Sequence, residues 1–207
     1  MNFRHAYRAA AVSFADLVSR VPVDRWHVPA LGDWSLLDLV GHVATELRDV
    51  PEVLGAPAGQ VEIPSTEAYW AFARVAPVDV VAKAHAESGR SAREAGKALG
   101  GDPAGAVNEL IGRATQTLAA AKDDDVVTTA AGGMRVQDWV PTRTFELVVH
   151  GQDVAAAAGV EFSPGLDAMA EAVTQATFVA VAVGDGPLLL RALTGRAALP
   201  DRYSIIG

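Results

Sequence analysis

The chain contains no cysteine. That absence removes disulfides, thiolate metal sites and a protein-borne thiol nucleophile together, so any thiol chemistry must use a thiol brought in from outside. Aromatic residues are scarce, at 6%, and the alanine-rich, leucine- and valine-supported remainder favours packed helices over a sheet. Basic residues are outnumbered, 17 Lys and Arg against 25 Asp and Glu, for a formal net charge of −8. Nucleic-acid phosphates need a basic surface, so no nucleic-acid partner is expected, and beyond solubility the acidity names no other. The longest apolar run near the end, TFVAVAVG, falls well short of the roughly 20 residues that span a bilayer. The N-terminal stretch mixes charges into its apolar residues and lacks a signal-peptide core and cleavage site. The chain therefore reads as soluble and cytoplasmic, with no membrane partner. Tandem repeats, a glycine-rich phosphate loop, a nucleophile elbow and an HExxH pattern are also missing.

What is present is 207 residues, half of them hydrophobic, enough for one domain with a sizeable core. Phe3, Tyr7, Ala10, Phe14, Leu17 and Val21 recur at three- and four-residue steps and predict a helix over about 3–21, ended by Pro22. A connecting segment follows, with Trp26 and Trp34 as anchors and His27 as an ordinary loop residue. Ser35 opens a second helix in a capping-box-like start with Asp38, and Leu36, Val40, Val43, Leu47 and Val50 form its core stripe. The Pro- and Gly-rich segment 51–65 reads as a loop. Residues 66–75 predict a short helix carrying Tyr69, Trp70 and Phe72, and Pro77 opens another to Leu99. Val107, Leu110, Ala114, Leu118 and Ala121 mark a further amphipathic helix. In the VVTTAAGGMRV segment the period changes, and a short hairpin is expected. A long helix beginning around Val136 to Asp138 ends at Gly159, with Pro141 near its start, tolerated there because first-turn N–H groups have no intrahelical partner. Pro164 starts a final helix to about Val183, before a short helix and a terminal strand.

Chemistry concentrates on the stretch from Gln137 to Gly159. Glu146 and His150 are four residues apart, so on a helix a carboxylate oxygen and an imidazole nitrogen can converge on one point. A metal ion is the usual occupant of such a point. Asp153 follows on the same stripe, where it can orient the imidazole or sit in solvent, and Arg143 can pair with Glu146. Such pairs are more often solvated salt-bridge faces. Here Phe145, Leu147, Val148 and Val149 crowd the pair, and a half-sunk Glu and His need partners. On the second helix His42 falls at the margin of the core stripe, with Glu46 closer to its centre and Asp49 beyond; alone, His42 reads as a histidine hydrogen-bonded to a neighbour. His85 has no partner that the sequence identifies.

Two motifs together carry a resemblance. The run Gly32-Asp33-Trp34-Ser35 through Asp38-Leu39-Val40-Gly41-His42-Val43, with Thr142-Arg143, Glu146-Leu147, Val149-His150-Gly151 and Asp153 about a hundred residues on, resembles the mycothiol-dependent maleylpyruvate isomerase family of DinB-like bundles. The closing LRALTGRAALP is similar to the tail of many short members. The resemblance implies an all-α, DinB-like four-helix bundle with long crossovers over residues 1–160, and a short helical extension over 161–207 packed on it. It implies that His42, Glu146 and His150 ligate a divalent cation, most often zinc, with nickel or another first-row ion also accepted by such a set. Two nitrogens and one carboxylate leave a position open, as catalytic zinc sites do. Glu46, Arg143 and Asp153 complete the candidate catalytic set.

The implied activity is thiol transfer or isomerisation, with mycothiol or a similar low-molecular-weight thiol as cosubstrate and an electrophilic small molecule as the other partner. Full-length members carry a further folded C-terminal domain that contributes to the active site, a departure that limits the transfer of maleylpyruvate isomerisation itself. Arg191 and Arg196 read as surface charges. Two other readings stand beside this one. A hydrolase would use the same ligands, with a water on the metal as nucleophile and Glu46 as base; a non-catalytic bundle would bind a ligand or partner with its His and Glu residues paired to each other. A homodimer stays open.

Overall fold

A computed structural model describes residues 2–75 and 78–205. Its described residues form eight α-helices and two small hairpins, which makes the fold all-α. In chain order these are α1 (Phe3–Ser19), β1 (Pro29–Leu31), β2 (Trp34–Ser35), α2 (Leu36–Leu54), α3 (Thr66–Val75), α4 (Val78–Ala98), α5 (Pro103–Ala120), β3 (Val126–Thr129), β4 (Gly132–Arg135), α6 (Val136–Ala158), α7 (Leu166–Ala182) and α8 (Gly186–Leu193). The bundle is a ring of four: α1 packs on α5 and α6, and α2 packs on the same two helices. Outside the ring, α4 lies along α2, α7 packs against α1, α3 and α6, and α8 rests on α7.

The periodic apolar stripes become the core. Leu36, Leu39, Val40, Val43, Leu47 and Val50 of α2 are all essentially fully buried, and each removes surface worth roughly 1.5–3 kcal/mol from water. The start of α2 is fixed by its capping box: Asp38 N–H donates to Ser35 Oγ at 3.2 Å, and Ser35 N–H donates to the Asp38 carboxylate at 2.9 Å. The β1–β2 hairpin turns at Gly32, with φ +57°, and delivers Trp34 to the beginning of α2. A second hairpin, β3–β4, pairs Val126 with Arg135 and Thr129 with Gly132. It leads directly into α6.

Buried residues lie on every side of α6, from Val136, Trp139 and Val140 to Val154, Ala155 and Ala158. This is the central helix of the molecule. It stops at Gly159, whose left-handed φ of +72° closes the last turn with an N–H bond to the Ala155 carbonyl at 2.9 Å, a conformation that suits glycine.

Four expectations are corrected. Residues 51–54 are helical rather than loop, because Pro51 sits in the last turns of α2, where it removes one backbone bond, to the Leu47 carbonyl, and the helix ends soon afterwards. The α6 start at Val136 is as expected, but Pro141 lies past the first turn that would excuse it, so the Gln137 carbonyl loses its helical donor. The segment 29–35, read as a connection, contains a hairpin. Among the described residues after α8 there is no strand, only turns and irregular chain. Pro77 and the Phe72 side chain lie outside the described residues. His27, His85, Arg191 and Arg196 are exposed.

Glycine sets the approach of α4 to α2. A Cβ on Gly96 would sit 2.7 Å from the Leu37 carbonyl oxygen, and one on Gly41 would sit 2.3 Å from the Gly96 nitrogen. Neither neighbour is a flexible side chain, so the two helices would have to separate. A Gly96→Ala substitution is expected to cost roughly 2–3 kcal/mol of unfolding free energy through overpacking. Gly112→Ala on the open face of α5, where nothing lies within 4 Å, should gain about 0.5–1 kcal/mol from helix propensity. Urea denaturation of the two variants checks both signs.

Candidate metal centre

α2 and α6 face one another across the bundle, and their facing surfaces carry ionisable side chains. His42 and Glu46, one turn apart on α2, meet Arg143, Glu146 and His150 on α6. One ligand atom from each of His42, Glu146 and His150 lies within 4.8 Å of the other two. Their side chains are 16–17% exposed, so the cluster is half-buried rather than sealed. His150 Nε2 is 3.1 Å from Glu146 Oε2, whereas His42 Nε2 is 3.9 Å from the same oxygen, too far for a hydrogen bond. The two imidazoles meet edge to face at 5.0 Å, and the Trp34 ring lies 5.2 Å from His42.

His150 carries the informative contradiction. Its Nδ1 is 3.1 Å from Asp153 Oδ2 while its Nε2 is 3.1 Å from Glu146, so both ring nitrogens face carboxylate oxygens. A neutral imidazole has one N–H. One of the two contacts therefore needs a second proton or a metal cation between nitrogen and oxygen. Burial alone would depress the His150 pKa, but the hydrogen bonds to Asp153 and Glu146 outweigh it and push the group up to about 9. Glu146 is the converse: burial would raise its carboxyl, and the His150 contact with the nearby Arg143 charge holds it well below the usual carboxylate range.

The residues present fit a divalent cation. Two imidazole nitrogens and one carboxylate are a common zinc donor set, and three protein ligands leave a position free. Asp153 on Nδ1 is the partner that fixes the tautomer and turns Nε2 toward the cluster.

Beside this centre Arg143 is buried, with a side chain 7% exposed. It and Glu146 favour each other's charged forms, but its direct contact is elsewhere. Its Nη1 reaches across to Oε2 of Glu46 on α2, one turn beyond His42, because an arginine side chain is long enough to span the two packed helices. Nε donates to the Thr142 hydroxyl at 3.0 Å, and Nη2 donates to the Tyr69 hydroxyl at 3.3 Å. The guanidinium also lies over the Tyr69 and Trp139 rings, at 5.7 and 5.5 Å. Burial, with Glu146 and Asp49 nearby, pushes the Tyr69 phenol up to about 12, so it remains a neutral donor.

Sequence reasoning placed His42, Glu46, Arg143, Glu146, His150 and Asp153, and the fold brings all six to this region. It did not place Tyr69 and Trp34 beside the cluster, having read Tyr69 as a core or lid aromatic and Trp34 as an anchor. Only the packing of α3 and of the first hairpin brings those rings in.

A helical bundle that gathers two histidines and a glutamate from two facing helices defines a DinB-like class of protein. The chain belongs to the family of the mycothiol maleylpyruvate isomerase N-terminal domain, which matches residues 7–155. That match runs from α1 through most of α6 and covers all six residues; α7 and α8 lie beyond it. No curated protein and no solved structure matches the chain. No helix among the described residues is long and apolar enough to cross a membrane.

Two outcomes follow from these charges. The folded pKa of His150 is raised, so its stabilisation is fully present below the unfolded value near 6.5 and is lost as pH rises through about 9. Denaturation of metal-free protein at pH 6 and pH 9.5 should show a loss of roughly 2–3 kcal/mol from this group, reduced in an Asp153→Asn variant. Removing one partner of the Arg143–Glu46 pair strands a buried charge, so Glu46→Ala should cost about 3–5 kcal/mol, read from the denaturation midpoint.

Proposed function

We propose that the chain is a divalent-metal-dependent enzyme in which a low-molecular-weight thiol, mycothiol or one similar to it, acts on an electrophilic small molecule by transfer or isomerisation. The observation that carries this reading is the convergence of His42, Glu146 and His150 within 4.8 Å, in a chain of a mycothiol-related family. The absence of cysteine is consistent with a thiol supplied from outside. His42, Glu146 and His150 would hold the ion, with zinc the leading choice and nickel or another first-row ion compatible with the same donors. Bound there, the ion would supply Lewis-acid chemistry that lowers the pKa of a thiol into the neutral range.

The protein's own groups have separate tasks. Asp153 accepts the Nδ1 proton of His150 and so keeps Nε2 directed at Glu146. Arg143 and Glu46 clamp α6 to α2 next to the ligands, which holds His42 opposite Glu146. Tyr69 accepts a hydrogen bond from Arg143, which leaves its own O–H as a donor. The hydrolytic alternative is weakened on this geometry, because Glu46, its candidate base, is committed to the Arg143 guanidinium.

The test starts from metal content. Protein purified without a metal-carrying tag should hold about one divalent ion per chain, and a folded His42→Ala, Glu146→Ala, His150→Ala variant should hold none. Cobalt-loaded protein should then gain a sulfur-to-metal absorption band on titration with a small thiol. An absence of uptake of zinc, nickel or cobalt would leave the three residues as a structural ion-pair cluster and favour the non-catalytic bundle.

A further inference from the structure

We propose that a second site, the cavity between α3, the start of α6 and α7, binds a small organic cation bearing N–H donors, a primary amine or a guanidinium, with Glu171 as its counter-ion. The cavity has a volume of about 360 Å³, at the small end of the roughly 300–1,000 Å³ range of ligand sites. Glu67, Asp138 and Glu171 line it, with the rings of Phe3 and Phe178. No arginine or lysine does.

The three carboxylates are not equivalent. Glu67 and Asp138 occupy the first turns of α3 and α6, where the positive end of the helix dipole favours an acid. Asp138 also has Arg135 at 3.3 Å. Glu171 has neither support. It lies in the second turn of α7, is 8% exposed, and accepts no hydrogen bond and forms no ion pair among the described residues. Burial pushes its carboxyl up, and the charge of the chain's own amino terminus lowers it. A carboxylate nine-tenths buried, without a partner and lining a cavity, gains from any donor or positive charge that the cavity receives.

The chemistry of the lining selects the ligand. The neighbouring amide, Gln175, already donates Nε2 to the Pro141 carbonyl at 2.6 Å, and Thr66 donates to the Asp138 carbonyl at 2.7 Å. What remains is mostly acceptor, which calls for N–H groups. A metal ion suits it poorly: among the described residues, the group whose ligand atoms approach closely enough for an ion is His42, Glu146 and His150. Phe178, 56% exposed at the rim, offers a ring face that attracts an organic cation, whereas the Phe3 ring already carries the Arg4 guanidinium 5.1 Å from its centroid.

The experiment is calorimetric titration of the N-terminally acetylated full chain, with and without EDTA, using butylamine, agmatine and choline. Acetylation removes the protein's own terminal charge, and the EDTA arm separates amine coordination to a metal from binding here. Butylamine and agmatine should bind equally well in both arms, and choline, which has no N–H, should bind more weakly. Glu171→Gln should weaken agmatine roughly tenfold or more, and Phe178→Ala, at an exposed position, by a few-fold. Zinc uptake should be unchanged in both variants. Failure of both amines to bind at millimolar concentration, equal binding of choline, or undiminished binding to Glu171→Gln would overturn the proposal.

Discussion

The contact between α2 and α6 places five ionisable side chains, His42, Glu46, Arg143, Glu146 and His150, where water reaches them poorly. Charges in that position are tolerated only if each finds an opposite charge or a hydrogen bond. Much of the local structure answers that demand. Arg143 is met by Glu46 from the facing helix and by the Tyr69 hydroxyl from α3, while Trp139 and Tyr69 cover its faces. Glu146 is met by His150, and His150 in turn by Asp153. His42 alone has no hydrogen bond to the cluster, because 3.9 Å separates it from Glu146. A second proton on His150, or a cation between its nitrogen and the carboxylate, balances the set.

That requirement ties the bundle's stability to the candidate centre. Arg143 and Glu46 cross-link the helices that carry the ligands, and the close approach of α4 through Gly41 and Gly96 presses α2 into place immediately beside His42. A displacement of α2 by a single methyl group would therefore be felt at the cluster. The fold and the candidate chemistry share the same few contacts. The α7 cavity lies apart from them, lined by residues from α3, α6 and α7 and by Phe3 of α1.

Much of this was readable from spacing. The i, i+4 relation of Glu146 to His150 survives as a 3.1 Å contact because a helix fixes that separation wherever the helix lies. The capping box at Ser35 and the glycine stop at Gly159 are likewise local and were read correctly. Errors arose where a local signal competed with packing. Pro51 suggested a loop, yet the buried stripe through Leu47 and Val50 kept α2 helical beyond it. Spacing offered Arg143 its neighbour Glu146, whose charge it does feel, but its long side chain also reaches Glu46 on another helix, which spacing does not reveal.

The sequence by itself determined the helices, their caps, the apolar stripes and the pairing of Glu146 with His150, since each depends on residues within a turn or two of one another. Tertiary structure alone decided that His42 stands opposite that pair, that Glu46 is spent on Arg143, and that Tyr69 and Trp34 border the cluster. Apart from Trp34, which meets His42 eight positions on, those relations join residues separated by some seventy to more than a hundred positions. No periodicity carries that information, because it is set by which helix faces close on which when the core excludes water.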